Sequence, residues 1–140
     1  MRHQLKFRRL TDGRYAVVRL AADASVPDWG TRGEFTSVTR TKEELSVVCP
    51  AGNVPHDSDV PHHWTCLKLE GPFPFSLTGV LLSFIEPLSS KGIPIFAVST
   101  YDTDYVLIQE EWTGAALGAL QRAGHVLLDG ERSPAASTKS

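Results

Sequence analysis

The chain has 140 residues, of which 41% are hydrophobic and 21% are charged. These proportions indicate one compact domain or two very small ones, and they exclude a disordered acidic tail and a fibre. The 14 Lys and Arg residues are balanced by 16 Asp and Glu residues, and the resulting net charge of −2 provides no broad basic surface for a nucleic acid. No apolar run approaches the ~18 residues of a membrane span, and the first residues lack the apolar segment of a signal peptide. We therefore expect a cytoplasmic protein with neither a nucleic acid nor a membrane as its partner.

The first half of the chain is predicted to consist of short strands. Strands are expected at residues 5–10, 15–20, 35–39 and 45–49, where β-branched and other apolar residues are enriched. The pair Asp12-Gly13 is a strong turn signal and predicts a hairpin between the first two of these strands. The segment 21–33 contains one proline and two glycines, which interrupt it too often for a long helix.

The second half is predicted to run strand, helix, strand, strand, helix, strand, the order of a ferredoxin-like α+β fold. Strands are expected at 64–69, 93–99, 104–109 and 125–128, and a helix at 113–123. The other helix is predicted to begin with Ser76 as its N-cap. Apolar side chains follow at helical spacing: Leu77, Val80, Leu81, Phe84, Ile85 and Leu88. The result is an antiparallel sheet covered on one face by two helices.

A weak internal repeat relates the two halves of the chain. The strand 15–20 matches the strand 64–69 in residue character at each position, but the first copy lacks the room for a full first helix. We therefore expect two related halves, of which the first is reduced. The expected divisions are an N-terminal half at 1–62, a full C-terminal domain at 63–129 and a flexible tail at 130–140.

Two stretches of the second half are similar to a known family. They are 69–80 and 92–108, and the second contains the unusual run Ile95-Phe-Ala-Val-Ser-Thr-Tyr-Asp-Thr-Asp-Tyr105. They resemble the ACT domain proteins and, more narrowly, the small bacterial tandem-ACT family related to the arginine sensors called CASTOR proteins. Residues 39–50 resemble the N-terminal half of that family. The resemblance covers most of the chain and implies that the two halves are both ACT-type, with antiparallel sheets covered by helices.

The resemblance also implies a function. ACT domains are non-catalytic modules that bind small molecules, most often amino acids, and that associate edge to edge or face to face. By resemblance we expect a regulatory protein that binds an amino acid or a similar small molecule, forms a homodimer and acts on an unidentified regulatory protein partner. The alternative is a homo-oligomeric interaction module that binds no ligand.

Residues 71–76 form the first candidate site, because they lead from a predicted strand into a predicted helix. The unpaired backbone N–H groups and the positive dipole end of a helix N-terminus suit a carboxylate. Gly71, Phe75 and Ser76 are the candidate ligand-binding residues of this loop. The alternative is a proline-stiffened turn in which Ser76 only caps the helix.

The predicted turn at 99–104 forms the second candidate site. Ser99 and Thr100 offer hydroxyl groups, while Asp102 and Asp104 offer carboxylates that could hold an ammonium or a guanidinium group. The alternative is a solvated hairpin turn, where Asp and Thr are common because they form local hydrogen bonds.

The resemblance implies a role for three positions. In the arginine sensors, the Asp of a Ser-Thr-aromatic-x-x-Asp motif helps to hold the side-chain end of the ligand, and Asp104 matches it. Pro94 and Ile95 match positions of backbone contacts to the ligand. The sensors bring two full ACT copies together, whereas this chain has one full and one shortened copy. A complete site could therefore need a second chain, and the ligand need not be arginine.

The remaining residues with reactive side chains indicate no catalysis. The loop between His56 and Cys66 contains several His and Asp residues, but their spacing matches no zinc pattern, so we expect a polar connection and no metal. Cys49 and Cys66 are expected to be small core residues. No GxSxG or HExxH motif is present. We therefore expect no enzyme activity, no catalytic residue and no cofactor.

Overall fold

The computed structural model describes residues 3–74 and 76–128. In chain order the strands are β1 (Lys6–Arg9), β2 (Tyr15–Leu20), β3 (Ser37–Arg40), β4 (Leu45–Pro50), β5 (Trp64–Leu69), β6 (Ile95–Ser99), β7 (Asp104–Gln109) and β8 (Val126–Leu127). The α-helices are α1 (Val80–Ser90) and α2 (Thr113–Arg122). From β5 onward the order is strand, helix, strand, strand, helix, strand, which confirms the predicted ferredoxin-like α+β fold.

The chain divides into two compact units. The N-terminal unit spans Asp12–Thr65, and the C-terminal unit combines the chain up to Thr11 with the chain from Cys66 onward. The expected division after residue 62 stays a prediction, and it does not group the residues before Asp12 with the C-terminal unit. The expected tail at 130–140 lies outside the described residues.

Strand β1 is an addition to the sheet of the C-terminal unit. It pairs antiparallel with β5, where Phe7 lies opposite Leu69, and parallel with β8, where Phe7 lies opposite Leu127. The strand order of this sheet is β8-β1-β5-β7-β6. The predicted hairpin between β1 and β2 is therefore wrong. The side chain of Phe7 is fully buried with its ring centroid 5.1 Å from that of Phe84, and this distant contact outweighs the local turn signal.

The helices of the C-terminal unit cover one buried core. Along α1, Val80, Phe84 and Leu88 are buried at a spacing of four residues, which places them on one face of the helix. The buried apolar core residues are Leu5, Phe7, Leu67, Leu69, Val80, Phe84, Leu88, Ile93, Val106, Ile108, Ala116 and Leu120. The core therefore draws on β1 as well as on the predicted elements.

Helix α1 begins later than predicted. Its N-cap is Gly79, whose φ of 82° lies in the left-handed region and which makes no side-chain capping bond. The N–H of Ser83 donates to the carbonyl oxygen of Gly79 over 2.9 Å, the first bond of the helix. Ser76 instead lies in a turn closed by the bond from the N–H of Leu77 to the carbonyl oxygen of Pro74. The prediction that Ser76 caps this helix is therefore wrong, because glycine fits the left-handed conformation at the real boundary.

A histidine compensates for the proline inside α1. Pro87 has no N–H to donate to the carbonyl oxygen of Ser83, four residues before it. Nε2 of His125 donates to that oxygen over 2.9 Å, while Nδ1 of His125 accepts the N–H of Leu5 over 3.0 Å. Because His125 is buried, one side chain satisfies two backbone groups that water does not reach.

The N-terminal unit is a small antiparallel sheet with the strand order β3-β4-β2. It is described throughout and contains no α-helix; a 3₁₀ turn at Asp28–Thr31 stands where a full copy would have its first helix. A Cβ atom at Gly30 would lie 2.7 Å from Cγ1 of Val47, so this turn packs closely on β4. That this unit is a reduced copy of an ACT-type half stays a prediction.

Candidate functional site

A cavity of about 170 Å³ lies in the C-terminal unit, between the loop that follows β5 and the turn that joins β6 to β7. Both candidate segments contribute to its wall. The lining residues are Phe73, Pro74, Leu77, Val80, Ser99, Thr100, Tyr101, Asp102, Thr103 and Asp104. We refer to it below as the β6–β7 cavity.

Hydrogen bonds fix the turn that forms one wall of the β6–β7 cavity. The N–H of Thr100 donates to the carbonyl oxygen of Thr103 over 2.8 Å, and the hydroxyl of Thr100 donates to the same oxygen over 3.0 Å. The hydroxyl of Thr103 is buried and donates to the carbonyl oxygen of Leu69 over 2.8 Å. The turn is therefore anchored on β5, with its backbone conformation set before any ligand arrives.

The loop on the opposite wall is bonded to the same turn. The N–H of Phe73 donates to the carbonyl oxygen of Asp102 over 3.0 Å. Gly71 permits this close approach, because a Cβ atom there would lie 3.0 Å from the same carbonyl oxygen and 3.1 Å from the backbone nitrogen of Phe73. The peptide bond between Gly71 and Pro72 is cis. Loop and turn thus form one connected frame around the cavity.

A held carboxylate is the main charged feature of the cavity wall. Ser99 and Asp104 lie opposite each other in the β6–β7 ladder, and the hydroxyl of Ser99 donates to Oδ1 of Asp104 over 2.5 Å. Asp104 is half-buried, whereas Tyr101 on the same wall is 79% exposed. A fixed carboxylate beside hydroxyl groups accepts hydrogen bonds from an ammonium, a guanidinium or a hydroxyl group.

The cavity brings together some of the predicted site residues and not others. Ser99, Thr100, Asp102 and Asp104 line it. Gly71 and Ser76 lie in the adjoining loop but are not part of the lining, and Phe75 lies outside the described residues. Pro94 and Ile95 lie at the opposite end of β6, where Ile95 is opposite Ile108.

Six lining residues were not named as candidate ligand contacts: Phe73, Pro74, Leu77, Val80, Tyr101 and Thr103. Leu77 and Val80 were expected on the apolar face of the helix that packs on the sheet. Leu77 is instead 40% exposed, because it precedes α1. Tyr101 and Thr103 lie within the predicted turn, but the predicted ligand contacts there were their neighbours Thr100, Asp102 and Asp104. The spacing of Thr100 and Thr103 around Tyr101 is the pattern that could have indicated an ordered turn, since threonine hydroxyls bond to nearby backbone groups.

A metal site, a reactive thiol and a membrane-spanning helix have little support in the structure. Among residues 3–74 and 76–128, no group of three or more His, Cys, Asp or Glu side chains could hold a metal ion. Burial raises the pKa of the Cys49 thiol from 9.0 to about 11, since a thiolate is disfavoured away from water. Neither helix in the described part of the chain is long and apolar enough to cross a membrane.

Two family models match parts of the chain. The ACT domain family matches residues 59–122. A second family, described as an N-terminal domain, matches residues 13–57. The chain is 30% identical over 93 residues to a human protein named CASTOR3P, in an alignment that covers 56% of each protein. It therefore spans about half the length of this curated relative.

Solved structures show the same fold. The crystal structure of protein Atu0741 from Agobacterium tumefaciens is 43% identical, has a TM-score of 0.84, and is matched over 90% of this chain and 93% of that one. Protein VC0802 from Vibrio cholerae, described as of unknown function and as a possible transport protein, is 19% identical with a TM-score of 0.70. This match covers 87% of this chain and 91% of that one, and it supports the fold alone. Taken with the ferredoxin-like element order, these matches show that residues 59–122 are similar to the ACT domain family and that the chain is similar to a CASTOR protein.

Proposed function

We propose that the protein is a non-catalytic regulatory module that binds an amino acid or a similar small molecule in the β6–β7 cavity. The observation that supports this most directly is the position of the cavity, between the two segments that the sequence nominates separately. Its volume of about 170 Å³ is below the ~300–1,000 Å³ of pockets for drug-sized ligands and suits a ligand as small as one amino acid.

The wall of the cavity favours a ligand with a polar or cationic end and a short apolar part. Asp104, held by Ser99, would accept hydrogen bonds from an ammonium or guanidinium group. The apolar side chains of Phe73, Leu77 and Val80 would contact the aliphatic part. The carboxylate end would lie toward the start of α1, whose first backbone N–H groups have no partner within the helix. Of the loop residues, Gly71, Phe75 and Ser76 remain candidates for that contact.

A second copy of the chain is proposed to complete the site. Among the described strands, β6 pairs only with β7, so its other edge can pair with another chain. Such a homodimer would bring Pro94 and Ile95 at the start of β6 into an interface. Ligand binding would shift the population between assembly states by no more than the difference in its affinity for them. A regulatory protein partner in the cytoplasm would then bind one assembly state in preference to the other.

The second candidate function is a ligand-free interaction module. The exposed aromatic ring of Tyr101 and the open edge of β6 favour it, since both can be buried against another protein. In this case assembly would be insensitive to every amino acid.

A thermal-shift screen against the twenty amino acids tests the proposal. A ligand at one hundred times its dissociation constant adds about 2.7 kcal/mol of stability, which raises Tm by several degrees. At least one amino acid should do so in the wild type. The shift should disappear in Asp104→Asn and persist in Asp59→Asn, a matched substitution at an exposed position of the N-terminal unit. A panel without any shift, together with a stable homo-oligomer, would favour the ligand-free module.

A further inference from the structure

A second cavity, of about 560 Å³, lies within the N-terminal unit. It lies at the end of the sheet where β2 begins at Tyr15 and β4 ends at the paired residue Pro50. From there the chain continues into the loop 51–63. The lining residues are Asp12, Gly13, Arg14, Ala51, Gly52, Val54, Pro55, His56, Ser58, Val60 and His63. Its volume falls within the ~300–1,000 Å³ of small-molecule sites. We refer to it as the N-terminal cavity.

Hydrogen bonds organise the loop that encloses the N-terminal cavity. The N–H of Ala51 donates to the carbonyl oxygen of Arg14 over 2.8 Å, which closes the loop against the start of β2. The side-chain amide of Asn53 donates to the carbonyl oxygen of Arg32 over 2.7 Å. The N–H of Ser58 donates to the carbonyl oxygen of Pro55 over 3.0 Å. The cavity therefore has a fixed wall, although this segment carries no strand or α-helix.

The guanidinium of Arg14 is oriented by a histidine on the same wall. Nη1 of Arg14 lies 3.0 Å from Nδ1 of His63, and because arginine can only donate, Nδ1 is the acceptor. The half-buried hydroxyl of Ser58 and the exposed ring of His56 add further polar groups to the lining.

The acidic residue of the wall is occupied with the protein itself. The hydroxyl of Tyr15 lies 2.8 Å and 3.1 Å from the two carboxylate oxygens of Asp12, and the N–H of Glu34 donates to Oδ2 over 2.9 Å. Asp12 therefore serves to hold β2 and the chain before β3, and its charge is partly offset by these donors.

We propose that the N-terminal cavity binds a small metabolite through an oxyanion group, a carboxylate or a phosphate. The guanidinium of Arg14 supplies planar N–H donors of the kind that both groups prefer, and His63 holds it on the wall of the cavity. Val54, Pro55 and Val60 provide an apolar surface for the rest of the ligand. This site is separate from the β6–β7 cavity and does not depend on the function proposed for it.

The test uses the full chain labelled with ¹⁵N and two probes, inorganic phosphate and succinate, titrated at low ionic strength. The amide signals of Gly13 and Gly52 should shift in a saturable manner with at least one probe. Saturation by phosphate alone identifies a phosphate-bearing ligand, saturation by succinate alone a carboxylate, and saturation by both a site for either group. If neither probe saturates the shifts at about 50 mM, the proposal is overturned.

Two matched pairs of variants locate the binding. Gly52 has nothing within 4 Å of a Cβ atom and no left-handed φ, so longer side chains can be placed there without a clash. Gly52→Glu should weaken binding about tenfold or more, whereas Gly52→Gln, similar in size but uncharged, should have a smaller effect. Arg14→Gln should also weaken binding about tenfold, whereas Arg19→Gln removes the same charge further along β2 and should leave it nearly unchanged. Equal losses in Gly52→Glu and Gly52→Gln would show a steric effect without a contribution from charge and would contradict an oxyanion ligand. Equal losses in Arg14→Gln and Arg19→Gln would show nonspecific charge attraction and would contradict the role of Arg14.

Discussion

Ser99 and Asp104 face each other across the β6–β7 ladder and share a 2.5 Å hydrogen bond from the serine hydroxyl to Oδ1 of the carboxylate. The bond joins the last residue of one strand to the first residue of the next, at the wall of the β6–β7 cavity. It restricts the rotation of the Asp104 side chain and so positions the carboxylate before a ligand binds. Preorganisation of this kind reduces the entropy that binding costs.

Loss of that hydroxyl should weaken ligand binding with little effect on folding. In Ser99→Ala the carboxylate of Asp104 keeps its charge but loses a charge-assisted hydrogen bond, so affinity for a cationic amino acid should fall by about threefold to tenfold. Isothermal titration calorimetry measures the change. Ser99→Thr keeps the hydroxyl and should bind nearly as the wild type does. Unchanged affinity in Ser99→Ala would remove Ser99 from the site.

Gly71→Ala should disturb the frame of the cavity. The added Cβ would lie 3.0 Å from the carbonyl oxygen of Asp102, which belongs to the backbone and cannot rotate away. We expect a loss of about 1–3 kcal/mol in the free energy of unfolding and weaker ligand binding, since loop and turn must separate. Gly92→Ala adds a methyl group where nothing lies within 4 Å, so its cost comes only from the φ of 71°. Urea denaturation of both variants separates crowding from backbone strain, and equal ligand affinity in both would argue against a shared frame.

His125→Leu should destabilise the C-terminal unit by about 2–5 kcal/mol, because the carbonyl of Ser83 and the N–H of Leu5 both lose a buried partner. The cause can be checked with a second substitution. Pro87→Ala restores an N–H that can bond to the Ser83 carbonyl within the helix. The double variant should therefore recover part of the loss, as measured by urea denaturation. Strict additivity of the two substitutions would contradict the proposed compensation.

Stability should fall at high pH because of Cys49. The folded protein raises the pKa of this thiol from 9.0 to about 11, so the folded state keeps the proton over a range where the unfolded state has released it. The free energy of unfolding is unaffected by the ionisation of this thiol below pH 9.0, and it falls as the pH rises from 9.0 toward about 11. Cys49→Ala should lower stability at pH 7 through the lost side chain, but its stability should decline less between these two pH values. Parallel pH profiles for both proteins would show that another group is responsible.

The sequence predicts the C-terminal unit well because its signals are local. Apolar spacing indicates α1, a high content of alanine and leucine indicates α2, and the polar run from Ser99 to Asp104 marks the turn between two strands. The position of β1 is not local information. Phe7 is placed by a ring contact with Phe84 and by pairing with β5, which are formed only when distant parts of the chain fold together. A turn at Asp12-Gly13 is compatible with a hairpin of β1 and β2 and also with the observed pairing of β1 with β5. The local turn signal therefore does not distinguish these two arrangements.

The candidate site was predictable in part for the same reason. The carboxylates and hydroxyl groups of 99–104 could be identified from residue type alone. The contribution of Leu77 and Val80 depends on where α1 begins, and that is decided by the left-handed conformation of Gly79. The N-terminal cavity depends on the bond between Arg14 and His63, two residues far apart in the chain with no shared motif.

The most direct test of the central claim is isothermal titration of the amino acid that gives the largest thermal shift into the wild type, Asp104→Asn and Asp59→Asn. We predict saturable binding to the wild type, similar binding to Asp59→Asn, and a loss of about tenfold or more in Asp104→Asn, as expected for a half-buried charge-assisted contact. Equal affinity of the three proteins would contradict the placement of the ligand in the β6–β7 cavity.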